Sequence, residues 1–168
     1  MAKFVKKGTT TPFTEEATIA SSAGAGDSGK LVHLDGAGKL DSTFMPTGFG
    51  ADTRTVTAGE TLAAGDLIYI SAAGEAFKAD ANDASKEAVG FVLAGITAAA
   101  TGTAYFGSGV ITGLTGLTAG ARYFLSATTP GAIATAIPAG AADIVQQVGK
   151  ALSTTELYFE PQSSLLLI

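Results

Sequence analysis

Leu62-Ala63-Ala64-Gly65-Asp66-Leu67-Ile68-Tyr69-Ile70-Ser71 returns 55 positions later as Leu117-Thr118-Ala119-Gly120-Ala121-Arg122-Tyr123-Phe124-Leu125-Ser126. Each copy opens on Leu, turns at Gly and enters a stretch rich in aliphatic and aromatic residues that ends on Ser. That is the pattern of a turn followed by a strand. The correspondence continues downstream: Val89-Gly90-Phe91-Val92-Leu93 aligns with Val148-Gly149-Lys150-Ala151-Leu152, and Tyr105-Phe106 with Tyr158-Phe159, the offset drifting as loops change length. Two related β units sharing one core are therefore expected.

Working outward, further short runs of Val, Ile, Tyr, Phe and Thr stand at Thr55–Thr57, Ala76–Ala79, Val110–Thr112, Ala132–Ala136 and Ile144–Ala151, nearly all bounded by Gly, Pro, Asn, Asp or Ser. Regular short strands with such punctuation predict a sandwich or barrel. Only Asp83 to Glu87 offers even one helical turn. Before Asp52–Arg54 the texture differs. Segments such as Thr9-Thr10-Thr11-Pro12 and Ser21 to Gly29 lack periodicity and are rich in Gly, Ser, Thr and Ala. The expected fold class is all-β: an extended N-terminal arm over residues 1–53, then a small β-sandwich or barrel over residues 54–168.

The arm carries isolated hydrophobic residues, among them Phe4, Phe13, Leu31, Val32, Leu34, Leu40, Phe44 and Met45. A free linker seldom holds so many, so the arm is expected to lie along a partner surface and pin it at intervals. At the other end, Leu165, Leu166, Leu167 and Ile168 need cover, and a final strand or plug at an oligomer interface is the expectation.

Composition narrows the function classes. Charged residues make up 15% of the chain, the net charge is −5 and the pI about 4.7, which argues against a nucleic-acid binder. From Ala88 to Ala142 the single charged side chain is Arg122. A segment so poor in charge is expected to be covered by its own fold or by a sister chain. There is no Cys, so neither a disulfide framework nor a thiolate site is available. MAKFVKKGTT is not followed by an apolar stretch of the secretory kind, and no run approaches the length of a membrane span. A soluble protein made in the cytoplasm, with no membrane partner, is expected.

Candidate chemistry is sparse. Gly24-Ala25-Gly26-Asp27-Ser28-Gly29-Lys30 nearly meets the phosphate-loop pattern, but Leu31 stands where Ser or Thr should reach magnesium, and another turn follows in place of a helix. His33 is the only histidine. Its expected role is a polar side chain of the arm, the sharper alternative being three copies around an ion on a threefold axis. Asp80 and Asp83 flank Asn82 without the spacing or Gly of a calcium loop, and a turn-forming loop explains them better. Lys3, Lys6 and Lys7 make a basic start, read as solvated, the alternative being contact with an acidic partner patch or nucleic acid. No catalytic residue, metal ligand or cofactor is assigned, and an enzyme is not expected.

The stretch Asp27-Ser28-Gly29-Lys30-Leu31-Val32-His33-Leu34-Asp35-Gly36-Ala37-Gly38-Lys39-Leu40-Asp41-Ser42-Thr43-Phe44-Met45-Pro46 resembles a recurring element of tailed-phage virion proteins. There the phrase G-K-hydrophobic-hydrophobic-x-L-D-x-x-G-K-hydrophobic-D-S-S-hydrophobic-hydrophobic-P occurs in head-decoration proteins, head fibres and tail fibres. The resemblance covers about twenty residues, and it implies a structural role at the particle surface, commonly as a homotrimer, with no catalytic residues to transfer. One small β domain with a clamping arm and no long stalk fits a capsid-decoration, or cement, protein whose partners are the major capsid protein and its own siblings. The alternative is a tail-fibre or receptor-binding module contacting the host surface.

Overall fold

A computed structural model describes residues 3–6, 14–45 and 52–168, apart from the side chains of Phe4, Lys6, Thr14, Glu16 and Ser42. The chain divides into two compact units, residues 1–49 and 50–168. The first unit holds an antiparallel pair, β1 (Lys3–Lys6) and β2 (Thr14–Ala17), in the register Lys3↔Ala17 to Lys6↔Thr14. Beyond it the chain is ordered mainly by carboxylates that accept from nearby backbone N–H groups, the local bonds through which Asp favours turns. Asp27 takes the N–H of Ala23, Asp35 those of Ala37 and Lys39, and Asp41 that of Thr43. A parallel bridge joins Ile19 to Val32.

The second unit is an all-β sandwich built from two five-stranded antiparallel sheets. The first contains β3 (Asp52–Thr57), β4 (Leu67–Ile70), β5 (Ala76–Lys78), β6 (Gly90–Val92) and β7 (Thr101–Phe106), in the order β3-β7-β6-β4-β5. The second contains β8 (Gly109–Ile111), β9 (Arg122–Leu125), β10 (Ile133–Ala134), β12 (Gln147–Ala151) and β13 (Leu157–Phe159), in the order β8-β13-β12-β9-β10. A small ribbon pairs β11 (Ile144–Val145) with β14 (Leu165–Leu166). The two sheet orders are the same once β3 is matched with β8, β4 with β9, β5 with β10, β6 with β12 and β7 with β13.

The repeat extends to individual hydrogen bonds. Gly65 N–H donates to Val92 C=O and Gly120 N–H to Ala151 C=O, both at 2.8 Å. Val92 N–H returns to Asp66 C=O at 3.1 Å, and Ala151 N–H to Ala121 C=O at 2.9 Å. Gly65 and Gly120 sit at φ of +90° and +80°, a conformation that a side chain disfavours, so both copies of the turn require glycine.

Burial divides the core in two. Leu67 and Phe91 are opposed across β4 and β6, and they join a cluster with Ile111, Tyr123, Leu125, Val148, Ala151, Leu157 and Phe159 of the second sheet. Phe91 is the hinge of this cluster: its ring stacks on Tyr105 at 5.3 Å and meets Phe159 edge-on at 5.2 Å. Because side chains alternate along a strand, Ile68 and Val92 point to the other face. There they form a second cluster with Val56, Ala58, Leu62, Ala76, Ile96 and Ala104. A parallel bridge from Ala58 to Ala76 links the two edges of this sheet and curls it around that cluster.

The centre of the first sheet is thus buried on both faces, which is why β6 reads Gly-Phe-Val without a polar position. The second is not. The counterparts of Leu67 and Phe91 are Arg122 and Lys150, both exposed, whereas those of Ile68 and Val92 are Tyr123 and Ala151, both buried. The sheets therefore stack front to back, and the charges of Arg122 and Lys150 fall on the exposed face of the second.

The expected single run Ile144–Ala151 is interrupted. It splits into β11 and β12 at Gln146, whose side chain turns inward: Oε1 accepts Ala88 N–H at 2.8 Å, and Nε2 donates to Ala88 C=O at 3.0 Å and Gln162 C=O at 3.3 Å. The change in texture noted at Asp52–Arg54 coincides with the first residues of β3. Among the described residues no helix is long and apolar enough to cross a membrane.

Candidate adhesive surfaces

In the first unit, short polar turns hold the chain in a conformation that leaves apolar side chains outside. The Asp35 carboxylate closes the turn between Leu34 and Leu40, and the Asp27 carboxylate closes the loop before Leu31. Leu31, Val32, Leu34, Leu40 and Met45 are exposed, from 40% to 56%. Phe44 is half-buried beside Ile19 and Val32, where the three help line one concavity. Phe13 and the side chain of Phe4 lie outside the described residues.

Asp27 and Asp41 are both shifted toward the ionised form. The Lys30 ammonium, bonded at 2.8 Å, together with the Ala23 N–H, holds Asp27 below the usual carboxylate value. The hydroxyl and then the N–H of Thr43 do the same for Asp41. The near phosphate-loop sequence is itself a 3-10 turn of three residues, Ala25–Asp27, with Asp27 folded back onto Ala23 N–H. An anion would meet that carboxylate rather than a helix terminus.

At the far end Leu165, Leu166 and Ile168 are exposed and Leu167 is half-buried. Strand β14 is held to β11 along one edge, and Leu167 N–H donates to Asp143 C=O at 2.8 Å. Ser164 Oγ donates to the Glu87 carboxylate and ties the approach to this strand back to the domain. Residues 31–45 of the first unit and strand β14 of the second therefore each present aliphatic surface on backbone fixed by hydrogen bonds.

The residues considered for chemistry do not converge. His33 is half-buried, and its Nδ1 has no hydrogen-bond partner among the described residues. Asp80 and Asp83 spend their carboxylates on the N–H groups of Asn82 and Ser85, as turn-building acids do. Among the described residues no three His, Asp or Glu side chains gather where they would hold a metal ion. Sequence reasoning missed the β1–β2 pair and the inward turn of Gln146, because neither carries a periodic signal. No protein-family model matches the chain, and a search of curated proteins returns no match.

Proposed function

We propose that this chain is an adhesive structural protein of a tailed-phage particle, a decoration protein that binds the outer surface of the head and stabilises the capsomer lattice. The observation that carries the reading is the phage-like stretch from Asp27 to Pro46, whose described aliphatic side chains Leu31, Val32, Leu34 and Leu40 all face outward. Apolar side chains held outside by polar turns gain free energy only when a partner covers them, at roughly 25 cal/mol per Å² removed from water. Weak contacts of this kind, repeated around a homotrimer, add through effective concentration. The ribbon that exposes Leu165, Leu166 and Ile168 supplies the surface for sibling contacts.

The test is attachment. Purified full-length protein mixed with empty heads should bind at a copy number set by the lattice and raise the temperature at which the heads disrupt. Binding to host cells but not to heads would replace the reading with a receptor-binding one.

A further inference from the structure

Near the end of β10 and the connection that follows it, a cleft of about 390 Å³ is lined by Asn82, Ser126, Thr128, Ile137, Pro138 and Asp143, among others. Most of its polar groups already have partners. Asn82 Nδ2 donates to Ala127 C=O, and Ser126 Oγ accepts the N–H groups of Thr128 and Thr129. Asp143 is the exception. It is 9% exposed, and one carboxylate oxygen accepts Gly140 N–H at 2.8 Å. Among the described residues the carboxylate has no other hydrogen bond or ion pair, and Asp143 lines the cleft. Asp66, also well covered, has both Ala63 N–H and the Lys78 ammonium at 3.4 Å.

A carboxylate withdrawn from water needs a positive partner or several donors, and one N–H is too few. The walls decide which cation fits. Ile137, Pro138, Ala134 and Ala136 make a hydrocarbon channel, suited to an alkyl stem that ends in a charge. A bare calcium ion wants six to eight oxygens, and a sugar, although its hydroxyls could donate, brings neither a positive charge nor an alkyl stem for the apolar wall. We propose that this cleft receives a lysine side chain from the capsid surface, its ammonium on Asp143 and its methylenes along Ile137 and Pro138. The inference rests on the adhesive reading only for the owner of the lysine; the site itself belongs to the free protein.

The test titrates full-length protein with Nα-acetyl-lysine methylamide, following the amide signals of Gly140 and Asp143 by NMR. Parallel titrations use the norleucine analogue, methyl glucoside and calcium chloride. The lysine probe should saturate the site and the other three should not. Asp143→Asn keeps an acceptor for Gly140, so it should unfold at the wild-type midpoint while binding the lysine probe at least tenfold more weakly. Absence of lysine binding, equal binding to both proteins, or preference for calcium or the glucoside would overturn the proposal. Failure of wild-type protein to bind heads, with the lysine site intact, would instead count against the capsid reading alone.

Discussion

Gly90 and Gly149 hold the same place in the two sheets: Gly90 stands opposite Phe106 and Gly149 opposite Phe159, and a side chain at either would collide with the carbonyl oxygen of Tyr105 or Tyr158. The neighbouring strand leaves no room for a Cβ at either point. The requirement is for no Cβ at all, so Gly90→Ala and Gly149→Ala should each lower stability by about 1–3 kcal/mol, the usual range for overpacking. Urea unfolding of the two variants checks this; a loss below about 0.5 kcal/mol, the surface-substitution range, would contradict the close approach.

Front-to-back stacking separates two residues that occupy equivalent positions. Phe91 fills the space between the sheets, and its counterpart Lys150 lies in solvent. Phe91→Ala should cost about 3–5 kcal/mol, whereas Lys150→Ala should stay within about 0.5 kcal/mol. Comparable losses at the two positions would mean that the sheets pack like face to like face.

Among the described residues Gln146 is the one long polar side chain buried in the second unit, and it satisfies both backbone groups of Ala88. Gln146→Ala would orphan a buried donor and a buried acceptor, at about 1–3 kcal/mol for each. The expected result is a lower unfolding midpoint with faster amide exchange at Ala88 and along β14. A midpoint equal to wild type would show that water replaces the amide without cost.

Asp27, Asp41 and Asp83 are all held below the usual carboxylate value, Asp83 first by the Ser85 hydroxyl. A lowered folded value means that the unfolded chain binds protons more readily. The turns are therefore at full strength above roughly pH 4, the ordinary carboxylate value, and weaken as pH falls through the lower folded value. These groups lie at the surface, so the response should be local. The amide signals of Ala23, Thr43 and Ser85 should titrate together with their carboxylates at a midpoint below roughly pH 4. Midpoints at or above that value would show that the turns do not depend on ionised acids.

Much of the β domain was legible because the repeat is written in residues with a single structural use. Gly65 and Gly120 mark the left-handed turn, and the Tyr-Phe pairs mark β7 and β13. The stacking direction was less legible, since Arg122 and Lys150 signal an outer face only once their counterparts Leu67 and Phe91 are seen to be covered. Short strands such as β11 and β14 carry two residues each and no measurable period. The exposure of Leu31, Leu34 and Leu40 followed the expectation that they stand outside a core, drawn from their isolation among polar residues, whereas the Asp143 cleft depends on residues more than 60 positions apart, Asn82 and Asp143 among them, meeting in space.

The central claim is that the aliphatic side chains of the first unit attach the protein to a head. Co-sedimentation of the Leu31→Ser, Leu34→Ser, Leu40→Ser triple variant with empty heads tests it most directly, because these exposed residues contribute little to folding. The account predicts an unchanged unfolding midpoint of the β domain and at least a tenfold loss of attachment. Attachment equal to wild type would contradict it.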